Sequence, residues 1–149
     1  MKLSTKGRYG LKAMFELALH YGEGPVPLKN IAESQGISDH YLEQLIAVLK
    51  KNGLVTSVRG AQGGYLLTNT PDKITVGEVI RTLEGDISPS DCITDNQAIK
   101  CERKESCVTK MVWIKIRDSI NDVIDSITLQ DMVEDHIKIN EDKGYMYYI

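Results

Sequence analysis

Three cysteines, Cys92, Cys101 and Cys107, stand in a Cys-x8-Cys-x5-Cys pattern within one short polar stretch. Thiolates are soft, charge-donating ligands, and three converging in one loop leave one coordination position open, which suits iron in an iron–sulfur cluster. Zinc uses the same thiolates with a nitrogen or oxygen completing a tetrahedron, so spacing alone leaves iron and zinc both standing, beside three unligated thiols. An odd number of cysteines in one loop argues against a disulfide framework. Enzyme chemistry finds little to use. No Walker loop, His-Glu-x-x-His or nucleophile–His–Asp order is present. His20 and His40 fall on helical segments and His136 in the C-terminal region. The chain does not read as an enzyme.

The elements that must carry this segment follow from patterning. The chain has 149 residues, 42% of them hydrophobic, enough for one domain or a domain with an appendage. Net charge is −3, but unevenly spread: residues 1–60 hold eight Lys/Arg against five Asp/Glu, and residues 61–149 hold ten against sixteen. Only the basic front half suits a polyanion. No apolar run long enough for a signal peptide or a membrane span is seen, so a cytoplasmic location is expected.

From Lys6 to Tyr21, Leu11, Met14, Phe15, Ala18 and Tyr21 recur at steps of three and four, one face of an amphipathic helix. A short helix from Leu28 to Ser34 follows, then a turn at Gln35-Gly36-Ile37. Ser38 or Asp39 caps a third helix that buries Leu42, Leu45, Ile46 and Leu49 and stops at Asn52-Gly53. Two helices joined by a Gly-containing turn are a helix-turn-helix, although a plain three-helix bundle has the same pattern. Strands at Leu54–Val58 and Tyr65–Thr68 enclose a tip with three glycines, Arg59 and Gln62, which makes the unit a winged helix. The expected DNA-binding residues are Ser38, His40, Tyr41, Glu43 and Gln44 on the second helix of the pair, with Arg59 and Gln62 on the wing. A protein-binding adaptor built on the same fold would lack salt-sensitive DNA affinity.

Thr75 and Glu78 form a capping box for a helix burying Val76, Val79, Ile80 and Leu83 and ending at Gly85. A long helix from about Thr109 to Ile127 carries Val112, Trp113, Ile116, Ile120, Val123, Ile124 and Ile127 in three-and-four spacing. Too little chain remains to bury it, so a twofold partner is expected to do so. Leu129 to about Asp135 reads as a short helix, followed by an apolar tail, Tyr145 to Ile149, that docks on the dimer core or binds a partner protein. The expected fold class is mainly α with a small β-hairpin: a winged helix-turn-helix followed by a long dimerisation helix. Its parts are residues 1–84 for DNA binding, 85–110 as a cysteine-containing sensor loop, and 111–149 as dimerisation helix and tail.

The opening Met1-Lys-Leu-Ser-Thr-Lys-Gly-Arg-Tyr-Gly, the helix Ile37-Ser-Asp-His-Tyr-Leu-Glu-Gln-Leu and the wing from Asn52 to Leu67 fall in the order seen in one bacterial family. They resemble the winged-helix regulators that include the iron–sulfur cluster regulator IscR, the nitric-oxide sensor NsrR and the cysteine-metabolism regulator CymR. The resemblance spans nearly the whole chain and looks nearest to IscR. It implies a homodimer on double-stranded operator DNA, a repressor controlling iron–sulfur assembly or related iron, sulfur and redox genes. It further implies an iron–sulfur cluster on Cys92, Cys101 and Cys107, with 2Fe-2S preferred and 4Fe-4S next. Two departures stand out. Lys110 occupies the place of the histidine ligand of the IscR pattern, and Arg8 that of the acidic ligand of the NsrR pattern. Asp91, Asp95, Glu102 and Glu105 are the nearby oxygen donors. The alternative within the family is a CymR-like regulator of cysteine metabolism, without a cluster or with zinc, governed by a metabolic enzyme bound to the tail.

Overall fold

The computed structural model describes residues 2–94, 101–103 and 105–147, and side chains as far as Gly144. Among them are six α-helices and one antiparallel hairpin: α1 (Thr5–Leu19), α2 (Leu28–Gln35), α3 (Asp39–Lys51), β1 (Val55–Val58), β2 (Gly64–Leu67), α4 (Val76–Glu84), α5 (Val108–Ser126) and α6 (Leu129–Tyr147). Single 3-10 turns lie at Pro71–Lys73 and Asp91–Ile93. The mainly helical winged helix-turn-helix expected from the sequence is the fold observed.

One core joins α1, α2, α3, the hairpin, α4 and the start of α6. Ala13, Met14, Ile31, Leu42, Leu49, Val79 and Leu129 are sealed from solvent within it. The helix-turn-helix angle is set at Gly36, whose φ of 66° lies in the left-handed region that favours glycine. All four inward residues expected on α3 are buried. On α1 Met14 and Ala18 are buried as expected and Leu11 and Phe15 half-buried, but the buried face extends to Gly7, Gly10, Ala13 and Leu17, and Tyr21 lies beyond the helix end and is exposed. The cause is α4, which packs so closely that a Cβ on Gly10 would collide with Leu83. Small residues, missed by counting large apolar ones, mark that contact.

The Thr75–Glu78 capping box is present in both directions. The C-terminal helix departs from expectation more strongly. It runs to Tyr147 instead of ending near Asp135, because no breaker precedes Gly144 and i,i+4 pairs support it, Gln130–Glu134 at 3.3 Å and His136–Asn140 at 2.9 Å. Its first turn returns to the winged-helix unit. Leu129 enters the core, Met132 and Val133 pack beside it, and His136 meets Phe15 of α1 edge-on at 5.3 Å between ring centres. Two backbone hydrogen bonds fasten this return: Val76 N–H donates to Ile127 C=O at 2.8 Å, and Leu129 N–H to Ile74 C=O at 2.9 Å. By contrast α5 buries none of its side chains, and Val108, Met111, Val112 and Val123 are exposed apolar surface. The side chains of the tail Tyr145 to Ile149, to which docking was assigned, lie outside the described residues.

Candidate nucleic-acid interface and cysteine segment

The N-terminus of α3 is built by Ser38, whose hydroxyl accepts from the Tyr41 N–H at 3.3 Å and satisfies one of the helix's free donors. Asp39 in the first turn and Lys50 and Lys51 in the last complement the helix dipole. Ser38, His40, Glu43 and Gln44 are exposed together on the outer face. Gln44 Nε2 lies within hydrogen-bond distance of His40 Nε2, at 3.3 Å and one turn apart. Tyr41 is placed differently. It is half-buried, its ring edge-on to Tyr9 at 5.9 Å, and its hydroxyl shares a 3.1 Å hydrogen bond with Thr5. It braces α3 against the start of α1.

The wing pairs Val55 with Leu67 and Val58 with Gly64, leaving Arg59 and Gln62 exposed at the tip. Its base is tied to the α1–α2 connection. Val26 N–H donates to Tyr65 C=O at 3.0 Å, and Tyr65 N–H to Val26 C=O at 2.9 Å. Gly64 sits so close to the Val26 backbone that any Cβ would overlap it. The glycine there is required by packing, beyond the needs of a turn.

Two carboxylates missed by sequence reading hold the frame under this surface. Glu84, at the end of α4, accepts from the Ser4 N–H at 2.9 Å, the Gly7 N–H at 3.0 Å and the Ser4 hydroxyl, capping α1 from another helix. Desolvation alone would raise its pKa, but these donors and Lys6 outweigh it and hold the carboxyl below its ordinary value. Glu16, the buried one of the pair, accepts from Gln35 Nε2 at 2.8 Å and His20 Nε2 at 3.2 Å, joining α1 to α2. His20 also donates through Nδ1 to Glu23 at 2.7 Å. The Glu23 contact is the main cause of a raised histidine pKa, with desolvation opposing it and Glu16 adding to it. The i,i+3 and i,i+4 spacing of Glu16, His20 and Glu23 was the available signal. Nothing local could have indicated Glu84.

The cysteines occupy three different settings. Cys92 is half-buried in the Asp91–Ile93 turn, its sulfur 3.1 Å from the Ser90 hydroxyl. Cys101 is exposed. Cys107 is the N-cap residue of α5. Its thiol pKa is lowered chiefly by the Thr109 hydroxyl, 3.1 Å away, and then by the Lys110 and Thr109 N–H groups and the Lys110 charge. Such donors favour the thiolate, the form that ligates metals. Asp91, Glu102 and Glu105 are exposed, and Asp95 lies outside the described residues. Among the described residues no three His, Cys, Asp or Glu side chains come together as a metal-binding group. The donor set thus fits iron–sulfur or zinc in kind, without the convergence that spacing implied.

Comparison with known proteins decides the family. Residues 3–135 match the family model Rrf2, described as an iron-dependent transcriptional regulator. The chain belongs to the Rrf2 family. The HTH-type transcriptional regulator CymR of Bacillus subtilis is 49% identical over the whole of both chains. The HTH-type transcriptional regulator IscR of Erwinia tasmaniensis is 46% identical over 133 residues, 89% of this chain and 79% of that one. The solved structure of T. potens IscR is 55% identical, covers 99% of this chain and 97% of its own, and superposes with a TM-score of 0.80. These Rrf2 relatives are named as transcriptional regulators, not as enzymes. This Rrf2 chain is accordingly a DNA-binding transcription regulator of the winged-helix type. Among the described residues no helix is long and apolar enough to cross a membrane.

Proposed function

We propose that the protein is a cytoplasmic homodimeric repressor that reads operator DNA with α3 and its wing and senses iron–sulfur status through Cys92, Cys101 and Cys107. The observation that carries this reading is the position of the thiols. All three lie between the winged-helix unit and helix α5, whose apolar stripe is only partly covered, where a change of ligation can act on both. The 55% identity with T. potens IscR and the iron-dependent description of the family support it.

Ser38, His40, Glu43 and Gln44 face the major groove in this reading. Gln44 suits adenine and Glu43 the amino group of cytosine. Arg59 enters the adjacent minor groove beside Gln62, and Tyr41 braces the helix. The α5 stripe pairs across the twofold axis. Cys92, Cys101 and Cys107 would hold the cluster, 2Fe-2S in preference to 4Fe-4S, with an oxygen donor such as Asp91, Glu102 or Glu105 as fourth ligand. When bound, such a cluster supplies a labile, oxygen- and redox-sensitive cross-link of the segment.

Anaerobic purification with iron and sulfide analysis, on wild type and on each Cys→Ala variant, tests the cofactor. Binding-site selection from a random duplex library, followed by affinity measurement with and without cluster, tests the switch. Brown protein with a cluster-dependent affinity is expected. Colourless protein with stoichiometric zinc rejects the iron reading. A second reading is favoured by the 49% match to CymR along both full chains: a regulator of cysteine metabolism governed by a metabolic enzyme through the C-terminal tail. It predicts selection of the same duplexes with an affinity indifferent to iron.

A further inference from the structure

A continuous set of contacts runs from the Cys92 turn to the recognition helix. Ile93, next to Cys92, is buried, and its carbonyl accepts from Arg117 Nη1 on α5 at 3.0 Å. One turn further along α5, Asn121 Nδ2 donates to the Arg117 carbonyl at 2.9 Å, and Asn121 Oδ1 accepts from Arg81 Nη1 of α4 at 2.9 Å. Asp125, another turn on, pairs with the same Arg81 guanidinium. Residues 117, 121 and 125 share one face of α5 by their spacing. Three residues beyond Arg81, Glu84 caps the first turn of α1, and Thr5 at the start of α1 holds the Tyr41 hydroxyl on α3. Tyr41 stands between His40 and Gln44.

Every link in this route is either a hydrogen bond between elements or a helix, which moves as a rigid body. The arginine pairs are partly exposed, so they add little to stability. Their geometric effect is larger. Arg117 ties a turn of only three residues to a helix of nineteen, and the Cys92 turn cannot shift without breaking that bond or moving α5.

We propose that Arg117 is a positioning residue that couples the Cys92 turn to the recognition helix, so that a change at Cys92 alters operator affinity and operator binding alters Cys92. The second half follows from the first, because coupling between two sites is reciprocal. The inference rests on the proposed function for the roles of α3 and the cysteine segment, but its test needs no iron.

In the full-length, metal-free protein, Cys101→Ser and Cys107→Ser leave Cys92 as the one thiol. Its alkylation by N-ethylmaleimide is timed alone, with the library-selected duplex, and with an unrelated duplex of equal length. The selected duplex is expected to slow the reaction at least threefold and the unrelated one to leave it unchanged. With Arg117→Gln the reaction becomes fast and indifferent to saturating selected duplex. Arg117→Lys, which keeps a donor for the Ile93 carbonyl, recovers part of the effect, as a merely structural role would not require. Arg81→Gln cuts the route at its second link and decides the matter by the same criterion if Arg117→Gln fails to fold. Labelling unaffected by DNA in the Arg117 protein, or a full DNA effect in Arg117→Gln or Arg81→Gln, overturns the proposal. Absence of any selected duplex overturns it together with the reading of α3, whereas the cluster reading stands or falls separately on the iron analysis.

Discussion

Leu129 offers the sharpest test of how the chain is closed. It opens α6, is fully buried in the winged-helix core, and its N–H is held by Ile74. Leu129→Ala removes three carbons from that core. At about 0.8 kcal/mol per buried methylene the transfer loss is about 2.4 kcal/mol. Ile74 and Val79 around it are themselves sealed and sit in a core built from several elements, so the site cannot collapse fully. The residual cavity should bring the total to about 3–4 kcal/mol, within the range of buried leucine truncations. Urea unfolding at fixed protein concentration measures this, since the proposed pairing of α5 would make apparent stability concentration-dependent. Helicity should be nearly unchanged before the transition, and the midpoint should fall with little change in slope. A loss below about 1 kcal/mol would show that α6 does not belong to this core and would refute the closure argument.

Arg59→Ala should weaken binding to a selected duplex at least tenfold, and Gln44→Ala should cost about 1–3 kcal/mol of discrimination at one base pair; unchanged affinity in both variants by titration in a gel or by anisotropy would place the interface elsewhere. Ile120→Asp with Ile124→Asp puts unpaired charge on the α5 stripe and should yield monomers in sedimentation, and a stable wild-type monomer would contradict the paired-helix arrangement. For His20, the folded pKa lies above 6.5. Its pairing with Glu16 and Glu23 therefore stabilises fully below pH 6.5, and that contribution is lost as pH rises through the folded value. NMR titration of the imidazole should show the raised value, and Glu23→Gln should bring it back towards 6.5.

Much of this architecture is legible in the sequence because it is local. Ser38 and the Thr75–Glu78 box announce helix starts through short-range hydrogen bonds, and the alternation of Leu42, Leu45, Ile46 and Leu49 reports burial directly. What escaped is non-local. Gly7 and Gly10 have no side chain to count, yet they decide where α4 sits. Tyr41 lies on the helix expected to read DNA, but its partners Tyr9 and Thr5 are more than thirty positions away. The end of α6 was misplaced because polar i,i+4 pairs sustain a helix whose apolar periodicity has already faded. For the cysteines, residue type was informative about chemistry, while spacing could not say whether the sulfurs meet.

The two backbone bonds that join Ile74–Val76 to Ile127–Leu129 return the chain to the winged-helix unit at the point where α4 begins. Lengthening a flexible loop between α4 and α5 therefore costs only about 0.6 kcal/mol per doubling. A DNA-reading unit of this design can keep its shape while the stretch around Cys92, Cys101 and Cys107 gains, loses or respaces ligands. The staple between the two threonines, Thr75 and Thr128, is thus the seam along which one reader could be refitted for different signals.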